Sequence, residues 1–395
     1  MNNPTPAPDR AERTAHWLAG DAKRILVAQV VFGFAWSHYL LMPKFLTTAL
    51  HAPPDVLGRI SAMGGLAGLL TVPFAARGLD RLGRKPFFSM GSALLVLLSL
   101  GYMQVREVSP LVYVLQGLVS ASFVLSFNAA AALLTDYAPP DRMGQAIGWL
   151  GSCNVLMNAI ATMLAEPLAA AHGWHAVFIM AGVAGLVSFG MSFTLRDAPV
   201  QPQPSASKAP PAPALRLGPL LPMLTAALLA GASFNAIFGF VQPYAVSLGA
   251  KAVSGFYLGY TISAVLGRVF FGGLGDRIGR RSVSMWMLGG YALCSLAVRE
   301  LHPDLLLVYG LMFGAAHGIL YPTLNALLLE VLPSARRGLG MVLFNGAFNV
   351  GMSAGGFAWG ELAKGRGYPS VYSITTVAAL VAGGVLLLTR PRSST

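Results

Sequence analysis

Three short polar stripes stand inside otherwise apolar stretches of this chain. His317, Tyr321 and Asn325 recur at every fourth residue, and Asn154 with Asn158 and Asn345 with Asn349 keep the same spacing. On a helix that spacing projects side chains from one face. It gives rows of hydrogen-bond donors and acceptors and one imidazole able to titrate near neutral pH. His38, Tyr39, Asn128 and Asn235 stand singly in similar apolar surroundings. Together these residues could hold a small polar solute and pass a proton, while any one Asn could equally serve as an interhelical hydrogen bond. Bond-breaking chemistry would need paired carboxylates, an HExxH pair or a nucleophile beside a base. His172 and His175 have no third ligand near them in sequence, so no metal, no cofactor and no enzymatic activity are expected.

The stretches that must position these residues have a membrane composition. Of the 395 residues 55% are apolar, only 11% are charged, and the mean hydropathy is +0.62. Twelve apolar segments, near 24–46, 55–76, 87–105, 109–134, 144–168, 174–195, 219–242, 253–274, 283–300, 303–329, 339–362 and 369–389, approach the ~20 residues that a helix needs to cross a bilayer. A backbone in lipid must satisfy its own hydrogen bonds, so the expected fold is an all-α integral membrane protein in the lipid bilayer. Polar residues are costly there and are functional candidates by default. No Asp or Glu falls near the middle of a span; Glu166, Glu361 and Glu330 lie near span ends.

The net charge of +12 reports orientation. With both termini cytoplasmic, twenty of the 27 Lys and Arg fall on the inner side. The bases lie in short turns without interleaved aromatics, so a nucleic-acid partner is not expected. No cleavage signature follows the first apolar run, and a bacterial-type inner membrane is the expected location. Cys153 and Cys294 lie in different halves and read as packing residues.

A Pro-, Ala- and Ser-rich stretch from Arg196 to Arg216 reads as a flexible cytoplasmic linker. Around it landmarks recur at nearly constant offset: Asp80 with Asp276, Asn128 with Asn325, Gly144 with Gly338, Glu166 with Glu361. The expected organisation is a tail at 1–23, a six-helix bundle at 24–195, a linker at 196–218, a second bundle at 219–389 and a tail at 390–395. An even number of spans per half gives the copies the same orientation, as in transporters built from parallel repeats.

One repeated element is a loop: RGLDRLGRK from Arg77 to Lys85 and GGLGDRIGRR from Gly272 to Arg281. The second copy, with Gly272, Leu274, Asp276, Arg277, Gly279, Arg280 and Arg281, resembles the signature loop of the major facilitator superfamily. The first keeps Asp80, Arg81, Gly83, Arg84 and Lys85 but has Ala76 and Gly78 in the first two fixed positions. The resemblance implies two pseudo-symmetric six-helix bundles rocking about a central site, in which this loop latches the halves together on the inner side. A carboxylate such as Asp80 or Asp276 at a helix end can accept hydrogen bonds from another helix and pair with an Arg. Tyr113 stands where the family's R-x-x-Q-G element has Arg, and Gly148 and Gly151 lack the Gly-Pro of the drug-antiporter signature.

The run GILYPTLNALLLEVLP followed by RRG resembles the drug and sugar efflux branch. The expected function is secondary active transport of a small organic solute by a monomer, with proton-coupled efflux as the leading form. His38 or His317 would serve as the proton site in the absence of a mid-span carboxylate. Uptake of a metabolite or organic anion and a transport-inactive sensor are the alternatives. Arg268 could bind an anionic group of substrate, pair with Asp276 or reach to the inner surface. GxxxxGKS/T is absent, so ATP is not the expected driver.

Overall fold

The computed structural model describes residues 20–139, 142–197, 217–333 and 336–388, and of Asp80 the backbone alone. Residues 1–19 of the expected tail at 1–23, most of the expected linker at 196–218 and the whole expected tail at 390–395 lie outside the described residues. Twelve helices follow one another: α1 Asp21–Thr48, α2 Pro54–Leu82, α3 Lys85–Met103, α4 Pro110–Tyr137, α5 Met143–His172 and α6 Trp174–Ser192 in the first half. The second half holds α7 Leu221–Ser247, α8 Ser254–Phe271, α9 Arg280–Arg299, α10 Leu306–Glu330, α11 Arg337–Arg366 and α12 Tyr368–Val385. A single helical turn, Leu274–Ile278, joins α8 to α9.

The helix ends show why the sequence divides here. Proline opens α2 and α4, where its missing N–H costs nothing. Gly83 and Gly279 lie within the signature loops with φ of 87° and 93°, and Gly173 and Gly367 close α5 and α11 with φ of 77° and 78°. These are left-handed conformations that a Cβ disfavours. The same two turns are thus made by glycine in both halves, a backbone counterpart of the repeated landmarks. Within α1, residues His38–Leu41 tighten into a 3-10 turn just before Pro43, which can neither donate a hydrogen bond to the preceding turn nor fit against its carbonyl.

Each half has its own apolar core. One is built on Phe32, Phe88, Leu95, Tyr102 and Phe178, the other on Phe256, Tyr257, Tyr291, Phe313, Phe344 and Tyr372. The outer surface is apolar too, with Leu97, Phe270 and Val377 all largely exposed, as lipid-facing side chains are. Among the described residues nine helices are long and apolar enough to cross a membrane by themselves. Of the twelve expected spans, α8, α9 and α11 fall short. Arg268 interrupts α8, Arg280 and Arg281 open α9, and α11 carries Asn345, Asn349 and a run of glycines. These three are held in the bundle by packing against neighbours. The fold is an all-α membrane protein of two pseudo-symmetric six-helix bundles.

Candidate functional site

Between the halves lies a cavity of about 500 Å³, lined from α1, α2, α4 and α5 on one side and α7, α8, α10 and α11 on the other. Tyr39, Asn154, Asn158, Asn235, His317, Tyr321 and Asn349 line it. Four other candidates do not. His38 folds back within α1, its Nδ1 2.7 Å from the Phe34 carbonyl oxygen, while Tyr39, at the cavity's edge, turns its hydroxyl to Ser99 of α3 at 2.9 Å. Asn128 sits half-buried on α4, and Asn325 lies one turn beyond the lining residue Tyr321. Asn345 supports the site from behind, its Oδ1 accepting a hydrogen bond from the Tyr321 hydroxyl at 2.5 Å.

His317 is held by one defined contact: its Nδ1 lies 2.6 Å from the Tyr291 hydroxyl. Around the ring stand Phe234, Tyr260, Phe313, Tyr321 and Phe348, with centroids between 4.7 and 6.3 Å away. Opposite them Asn158 accepts from Ser37 at 2.9 Å. Asn235 reaches across the seam to donate to Ser61, also at 2.9 Å. The cavity therefore offers an aromatic wall on the second half and amides and hydroxyls facing it.

Sequence reasoning missed Gln116, Tyr257, Tyr260 and Gln242, which also belong to the lining. Gln116 lies within YVLQG, noticed there only for its missing Arg. Gln242 sits next to Pro243 and donates to the Leu40 carbonyl, 2.7 Å away in the other half, and to the Tyr257 hydroxyl. A glutamine beside a mid-helix proline was the available signal.

The two ends of the cavity differ. At the end away from the signature loops, ion pairs and close backbone contacts join the halves. Glu166 of α5 pairs with Lys44, and its two oxygens accept from the backbone N–H groups of Val253 and Ser254, both at 2.7 Å, at the start of α8. Lys44 also donates to the Lys251 carbonyl. Across the other seam Asp55 meets Lys364 at 3.1 Å and Arg59 meets Glu361 at 2.8 Å. Between these pairs Gly58 lies against Gly356 and Gly360 so closely that a Cβ on it would stand 2.4 Å from the Gly356 carbonyl oxygen.

At the signature-loop end the ion pairs between described residues that can be named stay within one half. Arg84 binds Asp136 at 3.2 Å, and at the corresponding place in the repeat Arg280 binds Glu330 at 2.9 Å. Asp276 is held by Arg280 at 2.7 Å. Asp197 accepts from the backbone N–H groups of Arg84 and Lys85, and Arg281 donates to the Leu387 carbonyl. Arg81 and Arg277 are exposed. In this state the loop joins neighbours of its own half, and the side chain of Asp80 lies outside the described residues. Arg268 pairs neither with Asp276 nor, among the described residues, with any other carboxylate. Its guanidinium points at the opposite half, where a Cβ on Gly151 of α5 would be 3.8 Å from Nη1.

Two matched six-helix halves, closed together at one end over a central cavity, are the architecture of a solute carrier. The sequence profile of the Major Facilitator Superfamily matches residues 25–267 and 252–395. The chain belongs to this superfamily. It is 31% identical over 157 residues to a gallate transporter of Pseudomonas putida, a stretch covering 39% of this chain and 33% of that one. The chain thus spans about a third of that relative in the match. A probable sugar efflux transporter of Mannheimia succiniciproducens is 23% identical over 67% of each chain. Among solved structures, the inward-open xylose transporter XylE of E. coli superposes with a TM-score of 0.75 at 13% identity, covering 94% of this chain and 96% of that one.

Proposed function

We propose that this superfamily member is a secondary transporter of small organic acids, working by alternating access between the two ends of the central cavity. The observation that carries the reading is the cavity's polarity. It has an aromatic wall and amides facing that wall, with no carboxylate among its lining residues, and the cation Arg268 lies outside the lining, about two turns along α8 from Tyr260. Such a site suits a flat or conjugated solute with one negative end. The resemblance to a gallate transporter supports the same class of solute. The excess of bases at the signature-loop end supports, by the positive-inside rule, a cytoplasmic location for that end. The structure is then the inward-facing state, in which the signature-loop latch is released. Of the two histidine candidates, His317 is the one placed to exchange a proton with a bound solute, since it lines the cavity and His38 does not.

The test is uptake into proteoliposomes carrying an internal pH-sensitive dye, under an imposed proton gradient, with labelled gallate, 4-hydroxybenzoate, muconate, glucose and xylose. Acid flux above empty vesicles is expected, reduced at least tenfold in His317→Ala and less than threefold in His38→Ala. Proton flux accompanying the acid in wild type, and lost with His317, would confirm the coupling site. Efflux of a sugar remains the second reading, favoured by the sugar efflux relative, which matches two thirds of the chain. Sugar flux without acid flux would replace the first reading by the second.

A further inference from the structure

In each half a buried tyrosine hydroxyl meets one polar residue of the cavity lining. In the first half Tyr102, near the end of α3 and only 1% exposed, donates to Gln116 Oε1 of α4 at 3.2 Å. In the second half the hydroxyl of Tyr291 on α9, fully buried, lies 2.6 Å from His317 Nδ1 of α10. The tyrosines stand on the third helix of each half and their partners on the fourth. The repeat thus builds the same device twice, from different residues.

Burial decides which way each bond runs. Among the described residues neither hydroxyl has a second hydrogen-bond partner. Were His317 to donate from Nδ1, the Tyr291 hydrogen would be left without an acceptor in a core whose nearest ring is Phe313, 5.0 Å away between centroids. The hydroxyl therefore donates to Nδ1, and the neutral imidazole carries its hydrogen on Nε2. The amide is fixed in the same way. With Oε1 taking the Tyr102 hydrogen, the Nε2 hydrogens of Gln116 are left for the cavity beside Gly64, where a Cβ would stand 3.5 Å from that nitrogen. Both side chains line the cavity, Gln116 on the second turn of α4 toward its closed end and His317 midway along α10. A solute therefore meets an N–H group from each half.

We propose that the transported acid carries an oxygen acceptor at each end, its carboxylate on Nε2–H of His317 and a second, uncharged oxygen on Nε2–H of Gln116. Tyr102 and Tyr291 are positioning residues that hold the two donors in place. The inference rests on the organic-acid reading above and adds selection by the far end of the solute. An acid that ends in a hydrocarbon group would cover the Gln116 amide and leave it unpaired, which discriminates more sharply than a difference in size.

The experiment measures equilibrium binding of 4-acetylbenzoate and of 4-isopropenylbenzoate, in which a methylene group replaces the carbonyl oxygen, to purified wild type, Gln116→Leu and Tyr102→Phe. Nitrogen-15 spectra of ring-labelled histidine, with His317→Gln to assign the signal, report the tautomer in wild type and in Tyr291→Phe. Wild type should bind the acetyl acid at least tenfold more tightly than the isopropenyl acid. The preference should fall below twofold in Gln116→Leu through loss of the acetyl acid alone, and lie between these values in Tyr102→Phe. His317 should carry its hydrogen on Nε2 in wild type and show both tautomers in Tyr291→Phe. Equal binding of the two acids by wild type overturns the second acceptor while leaving the organic-acid reading standing. Parallel loss of both acids in Gln116→Leu makes Gln116 a packing residue, and a hydrogen on Nδ1 in wild type overturns the role of Tyr291. No binding of either acid by wild type fails both the inference and the organic-acid reading beneath it.

Discussion

The two seams between the halves, α5 against α8 and α2 against α11, are copies of one another by the repeat, yet they are built from different materials. At α2–α11 the contact is glycine on backbone, Gly58 against Gly356 and Gly360, with ion pairs at the rim whose Arg59 and Glu361 are about half exposed. At α5–α8 the contact is electrostatic. Glu166, only 6% exposed, takes Lys44 and two backbone N–H groups, and Arg268 farther along pairs with no carboxylate among the described residues. At the offset of 196 that relates Asp276 to Asp80, the residue matching Arg268 is Val72, which lines the cavity as an apolar side chain. The two seams differ in charge: one is closed by glycine packing on backbone, the other by the buried Glu166 and its partners.

That contrast can be broken most severely at the glycine seam. Gly58→Val puts branched carbons where even a Cβ would be 2.4 Å from the Gly356 carbonyl oxygen, and both neighbours at the contact are backbone. Transport should fall about a hundredfold, with size-exclusion profiles showing a folded monomeric peak, because the far end can no longer close. Next in size is Glu166→Ala, which strands the largely buried Lys44 ammonium and leaves the first turn of α8 without its acceptor. Breaking one side of a buried pair costs about 3–5 kcal/mol, here charged to the closed far end. Alkylation of a cysteine placed at the fully buried Val253 should therefore accelerate at least tenfold, and Glu166→Gln should restore part of the protection.

Smaller effects sharpen the comparison. Tyr321→Phe removes the hydroxyl that bonds Asn345 and keeps the ring in the aromatic wall. A single hydrogen bond of this kind is worth about 1 kcal/mol, so substrate binding measured by equilibrium dialysis should weaken roughly fivefold. Smallest of all is Arg59→Gln, since an exposed ion pair contributes about 0–1 kcal/mol. Initial transport rates should change less than threefold, and a larger loss would mean that the rim of the α2–α11 seam carries more than its glycine contact.

The helices, the repeat and the signature loops were legible from sequence because each rests on a local rule. Apolar length marks a span, and glycine marks a left-handed turn, as at Gly83 with Gly279 and at Gly173 with Gly367. The orientation of individual side chains was not legible where a local irregularity decided it. His38 and Tyr39 are adjacent in the 3-10 turn ahead of Pro43, yet the histidine bonds its own backbone while the tyrosine packs on Tyr102 and Phe178 with its hydroxyl on Ser99. Of the stripe on α10, His317 and Tyr321 line the cavity, and Asn325 lies past its edge. Gln242 and Tyr260 could not be singled out because their place depends on how the halves meet. The state of Arg268 depends on something farther still, the capture of Asp276 by Arg280, which sequence spacing left as one choice among three.

The most direct test of alternating access across the α5–α8 seam is a pair of distance measurements by spin labels in a background with Cys153 and Cys294 replaced by serine. One pair would span the signature-loop end at Gln145→Cys and Phe271→Cys, the other the far end at His172→Cys and Ala252→Cys. With 4-hydroxybenzoate present, the first distance distribution should gain a shorter component and the second a longer one, in equal proportion. Distributions that stay unchanged, or that shift in the same direction at both ends, would contradict a rocking carrier.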